Sequence, residues 1–189
     1  MSQREDLLAG ARRCLVEKGY SRTTARDIAT AAGSHLASIG YHFGSKDALM
    51  NLAALEAQNE WGDMIERAVR ATAGADPVQR LRVAMRELLA SLPEHRELVI
   101  ATVQAYGQAE FDEDIRDALA DAGRQARVEL AAMVLNRDAG EIDAATADGL
   151  GAVVYSMIVG LAVQFVLTPT TIPDGDQVAA AITRLAGDA

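Results

Sequence analysis

The chain has 189 residues, half of them hydrophobic, with eight aromatics, four prolines and a single cysteine. A formal charge of −9 argues against a protein that grips nucleic acid over its whole surface, and one cysteine excludes an internal disulfide, as expected in a reducing cytosol. No run of alternating β-branched residues with hairpin turns is present, which leaves an all-α protein, and charged and polar residues from Met1 to Asp6 predict no secretion signal.

The first predicted helix carries Leu7, Leu8, Ala11, Cys14 and Leu15 on one stripe. Cys14 is read as a small buried hydrophobe of that stripe. Residues 23–46 hold the strongest local pattern. Thr24 and Asp27 form a capping box, and Ala25, Ile28, Ala29 and Ala32 then repeat as one face of a short helix. Gly33 stands where a chain leaves a helix through a left-handed residue. Ser34 is expected to cap a second helix whose Leu36, Ile39, Gly40 and Phe43 share the inward face. Two short helices joined by a glycine turn place the second one in the major groove.

With that face inward, Ser34, Ala37, Ser38 and Tyr41 point outward, and His35 and His42 flank them. The hydroxyls can reach phosphates or base edges, and Ala37 a thymine methyl. The helix has no Arg, Asn or Gln for bidentate base contacts, so phosphate positioning and DNA shape are expected to carry much of the selectivity. The order Gly19-Tyr20, Thr23-Thr24, Asp27-Ile28-Ala29, Ala32-Gly33, Tyr41-His42-Phe43 and Ser45-Lys46 resembles the N-terminal domain of the TetR family of transcriptional regulators over roughly the first 50 residues. The resemblance implies an all-helical homodimer with a three-helix DNA-binding head and a larger body that binds a small molecule. Carried onto this chain it marks Thr24, Arg26, Ser34, Ser38, Tyr41, His42 and Lys46 as DNA contacts. Gly40 stands where the family usually has a phosphate-gripping tyrosine, and Tyr41 is read as its partial replacement; Ser34 replaces the family's usual valine.

Beyond the head, Ser45 is expected to cap a long helix to about Ala73, Pro77 to start another to Leu92, and a third to end near Gly107. A helix from about Asp112 to Asn136, a loop at Asp138 to Glu141, an apolar helix from about Ala144 to Thr168 and a last one with Val178, Ala181, Ile182 and Leu185 bring the total to about nine. Residues 1–46 are thus the predicted DNA-binding domain and 47–189 the ligand-binding and dimerisation domain. From Gly149 to Thr168 no residue is charged, a length that reaches a membrane span. Glycines, Ser156 and Gln164 within it, and acidic instead of basic flanks, favour a central helix with one face in its own subunit and one face in a dimer interface. Ala152, Ser156 and Gly160 form a strip for close helix approach, and with Val178 and Ile182 they are the expected dimer contacts, two helices from each subunit making a four-helix bundle. Trp61, Met64, Met85, Tyr106, Phe111, Met133 and Tyr155 are candidates to line a ligand cavity, together with Gln164, whose amide needs a polar partner if buried.

Charge divides the same way. Residues 1–50 hold seven basic and five acidic side chains, a balance of +2, and residues 51–189 hold 11 and 22, a balance of −11. Only the N-terminal part suits a phosphate backbone. No phosphate-binding loop, dinucleotide fingerprint or nucleophile elbow is present, and His35, His42 and His95 are not spaced for a metal, so no enzyme, cofactor or metal site is expected. The function expected is a cytoplasmic, ligand-responsive repressor that binds a palindromic operator as a homodimer and is released by a small molecule; the alternative is a dimeric helical adaptor or sensor protein that has lost specific DNA binding.

Overall fold

Local capping chemistry starts most of the helices. In the computed structural model, which describes residues 2–72, 74–111 and 113–187, nine helices form and no strand occurs among the described residues. They are α1 (Gln3–Lys18), α2 (Ala25–Ala32), α3 (Leu36–Phe43), α4 (Lys46–Arg70), α5 (Pro77–Ser91), α6 (Arg96–Gln108), α7 (Glu113–Leu135), α8 (Ala144–Leu167) and α9 (Gly175–Ala186). A 3₁₀ turn, Ala139–Glu141, replaces the loop expected before α8, and α8 is π-helical over Ala147–Gly151. The expected helix end at Ala73 and start at Asp112 lie outside the described residues.

The caps follow the side-chain oxygen rule for helix starts. Ser2 and Glu5 close a capping box on α1, which the sequence pattern alone did not single out, and Thr24 and Asp27 close the expected one on α2. Asp76 accepts from the Gln79 amide at 2.8 Å with Pro77 at the first helical position, and Ser45 Oγ accepts from the Ala48 amide at 3.0 Å.

The chain divides into two compact units: residues 1–62 with 95–102, and residues 63–94 with 103–189. The core of the first is the expected stripe of α1, Leu7, Leu8, Ala11, Cys14 and Leu15, packed with Ile28, Ile39, Leu49, Met50, Ala53 and Leu98. Burial pushes the Cys14 thiol pKa up, in keeping with its packing role. Gly10 makes the α1–α2 crossing possible, because a β-carbon there would stand 3.0 Å from Ala32 and from the Ile28 carbonyl. Leu98 of α6 joins this core from nearly fifty residues away, and Trp61 stacks on His95 with ring centroids 4.6 Å apart.

In the second unit α5 packs on α9 and α7, and α7 lies along α8. Met85, Leu88, Leu89, Met133, Val134, Val154, Leu161, Phe165, Val178 and Ile182 are buried there. At the π-helical turn the backbones nearly touch: a β-carbon on Gly151 would stand 2.1 Å from the Arg127 carbonyl oxygen. α8 is long and apolar enough to cross a membrane by length and composition, with a mean hydropathy of 2.2, yet only 22% of its most apolar window is buried. It is therefore not enclosed on every side within one chain. Val153 and Leu167 are 60% and 73% exposed.

Candidate nucleic-acid interface

Gly33 and Gly44 set α3 apart from its neighbours. Gly33 adopts φ 61° and ψ 32°, a left-handed conformation that disfavours any β-carbon. Its N–H donates to the Thr30 carbonyl at 3.2 Å, and the Ser34 N–H donates to the Ala29 carbonyl at 2.9 Å, which closes α2. Ser34 is thereby held in the exit of α2, and it does not cap α3 as expected. His35 occupies the N-cap position without a side-chain cap bond.

The start of α2 is tied to α1. Thr24 Oγ1 accepts from the Asp27 amide at 3.2 Å, while the Asp27 carboxylate accepts from the Thr24 amide at 2.9 Å and from Lys18 Nζ at 2.6 Å. Lys18 first, then Thr24, hold the Asp27 carboxyl well below the usual carboxylate range. Arg26 is exposed on the first turn of α2.

On α3, Ile39 alone is fully buried and Phe43 packs partly against the core. Leu36 and Gly40, both expected inward, are exposed, Leu36 by 52%. A two-turn helix offers one central position to the core, and its first residue lies beyond it. The outward face consists of Leu36, Ala37, Gly40 and Tyr41, with Tyr41 85% exposed and open space where a Gly40 β-carbon would be. Ser38 is half-buried and His35 exposed.

The N-terminus of α1 reaches this helix, which no local pattern signalled. Gln3 Nε2 donates to Ser34 Oγ at 3.1 Å, and Gln3 Oε1 lies 3.1 Å from His42 Nε2, so one amide holds both flanks of α3. Arg4 stands over the Phe43 ring at 5.1 Å. Lys46 bonds Asp47 at 2.8 Å and stands 5.6 Å from the Tyr20 ring centre. Tyr20 donates to Asn51 at 2.6 Å, and burial, with Asp47 secondary, pushes its phenol up to about 12. The helix α3 itself carries no carboxylate.

The residues expected to line a ligand cavity are distributed over both units. Met85 and Met133 are core residues of the second unit, Trp61 packs against the core of the first, and Met64, Phe111 and Gln164 are exposed. Gln164 lies on an exposed side of α8, next to buried Phe165. Tyr106 and Tyr155 do meet, their hydroxyls 2.7 Å apart beside Gly123. Burial, then the Tyr155 hydroxyl, raise the Tyr106 pKa and keep its phenol protonated. A wide cleft of about 650 Å³ opens instead on α1, lined by Leu8, Arg12, Val16 and Glu56. Of the expected dimer contacts, Ser156 is exposed and Ala152 and Gly160 are half-exposed. Val178 and Ile182 are buried inside the protomer, in the unit where α9 packs on α5, because the apolar stripe of α9 is used within the chain.

Two family models match. One, described as bacterial regulatory proteins of the tetR family, covers residues 7–53; the other, described as the BetI-type transcriptional repressor C-terminal domain, covers residues 77–187. The HTH-type transcriptional repressor AcnR of Corynebacterium efficiens is 39% identical over 56 residues, which is 30% of each chain. The match therefore spans under a third of that relative. A TetR transcription regulator from Haloarcula marismortui superposes with a TM-score of 0.67 at 24% identity, covering 97% of this chain and 94% of the other. A transcriptional regulator from Saccharomonospora viridis, solved in complex with choline, gives 0.63 at 22% identity over 95% and 92%.

Proposed function

Because the chain belongs to the TetR family of bacterial regulatory proteins, a family of DNA-binding regulators and not of enzymes, we propose that it is a cytoplasmic repressor that binds a palindromic operator as a homodimer and is released by a small molecule. The observation that carries this is the geometry of the first unit: a carboxylate-free α3, presented by the Gly33 turn with its outer face bare, in a segment of balance +2 on a chain of −9. A single short helix without bidentate side chains reads little sequence, so two copies spaced by one DNA turn, about 34–36 Å, supply the selectivity.

Residues 1–46 act as the DNA-binding domain in this proposal, with Thr24, Arg26, Ser34, His35, Ala37, Ser38, Tyr41, His42 and Lys46 at the DNA. The remainder binds the effector and the second subunit. The open face of α8, with Ala152, Ser156 and Gly160, supports the dimer, since a long apolar helix left largely unburied within its own chain marks an interaction surface. Helices α4 and α6 each contribute residues to both units, so an effector that prefers one setting of these helices changes the spacing of two heads. The hydroxyl pair of Tyr106 and Tyr155 supports a polar anchor for that effector. Choline, bound by the S. viridis regulator, is the first compound to try.

The test is selection of bound duplexes from a random DNA pool at two salt concentrations. A recovered palindrome whose affinity falls steeply with salt is expected. Recovery of no sequence above background by a folded, dimeric protein would overturn the proposal in favour of a helical adaptor.

A further inference from the structure

Two polar groups on the flanks of α3, Ser34 and His42, are already engaged within the head. Gln3 takes the Ser34 hydroxyl and the His42 ring, each at 3.1 Å. The face left to a partner is apolar at its leading end: Leu36 at the first helical position, 52% exposed, beside exposed Ala37. One turn on, nothing lies within 4 Å of where a Gly40 β-carbon would be, so the backbone itself can come close to the groove floor. Tyr41, at the trailing end, carries the one hydroxyl of that outer face.

A leucine kept half in water at the tip of a groove-binding helix fits an apolar target. Among base edges in the major groove, the thymine C5 methyl is the apolar group, and every other distinguishing group there is a hydrogen-bond donor or acceptor. Resting on the DNA-binding function proposed above, we infer that Leu36 and Ala37 read a thymine in each half-site through its C5 methyl. The head thus selects T·A at that step by van der Waals contact, without a hydrogen bond to the base.

Deoxyuridine removes that methyl and leaves every hydrogen-bonding group of thymine in place. The full chain is titrated against the palindrome recovered by selection, with each thymine replaced in turn by deoxyuridine. Loss of one buried methyl weakens binding about fourfold per half-site, and about fifteenfold for both together. Replacement at thymines outside the α3 footprint has no effect. Leu36→Ala, at a half-exposed position that leaves the core intact, reproduces the loss and shows a smaller deoxyuridine effect at the same step. Wild-type binding that ignores deoxyuridine at every thymine, or a deoxyuridine effect undiminished in Leu36→Ala, overturns the inference while the DNA-binding function stands. Failure to recover any palindrome overturns both.

Discussion

Tyr41 shows how much one side chain of the head can be asked to do. It is 85% exposed and follows Gly40, where the family usually places a phosphate-gripping tyrosine. If its hydroxyl meets a phosphate, Tyr41→Phe weakens operator binding by about 1 kcal/mol, read by fluorescence anisotropy; unchanged affinity removes the role. The outward placement of Tyr41 and Ala37 was legible from helical periodicity. That of Leu36 was not, because periodicity puts residues 36, 39 and 43 on one face whether or not the core is long enough to cover all three. Nor was Gln3 legible: its bonds to Ser34 and His42 cross 31 and 39 residues of chain, beyond the reach of any local rule.

At the scale of an element, α2 depends on a charge. Its cap uses ionised Asp27, held below its ordinary value of 3.8 by Lys18 and Thr24. A carboxyl whose pKa is lowered by folding contributes its full stability above the unfolded value and loses it as pH falls through the folded one. The thermal unfolding midpoint should therefore fall as pH drops below about 4, with a shallower fall in Asp27→Asn, which cannot titrate. Two helical glycines predict opposite outcomes. Nothing opposes a β-carbon at Gly40, so Gly40→Ala should stabilise α3 by about 0.5–1 kcal/mol. At Gly151 the added carbon meets the Arg127 carbonyl at 2.1 Å, a backbone atom that cannot swing aside, so Gly151→Ala should destabilise by about 1–3 kcal/mol or more. Thermal or denaturant unfolding of the two variants separates the cases.

For the whole molecule the decisive prediction is association. Ser156 is exposed on α8 beside half-exposed Ala152 and Gly160, and an arginine there sets a charge in the proposed interface. Sedimentation equilibrium should show wild type dimeric and Ser156→Arg shifted to monomer, with operator affinity reduced at least about tenfold because one head replaces two. A dimeric Ser156→Arg would place the interface elsewhere. The Thr24–Asp27 cap, the Gly33 turn and the stripe of α1 were determined by the sequence itself, because each depends on residues within about four positions of one another. Only the tertiary structure decided which apolar faces find a partner inside the chain. It turned Val178 and Ile182 inward in the unit where α9 packs on α5, brought Leu98 into the core of α1, and left Leu36 and one side of α8 in water. The reason is physical: an amphipathic pattern states that a face avoids water, and the covering partner lies tens of residues away or in another molecule.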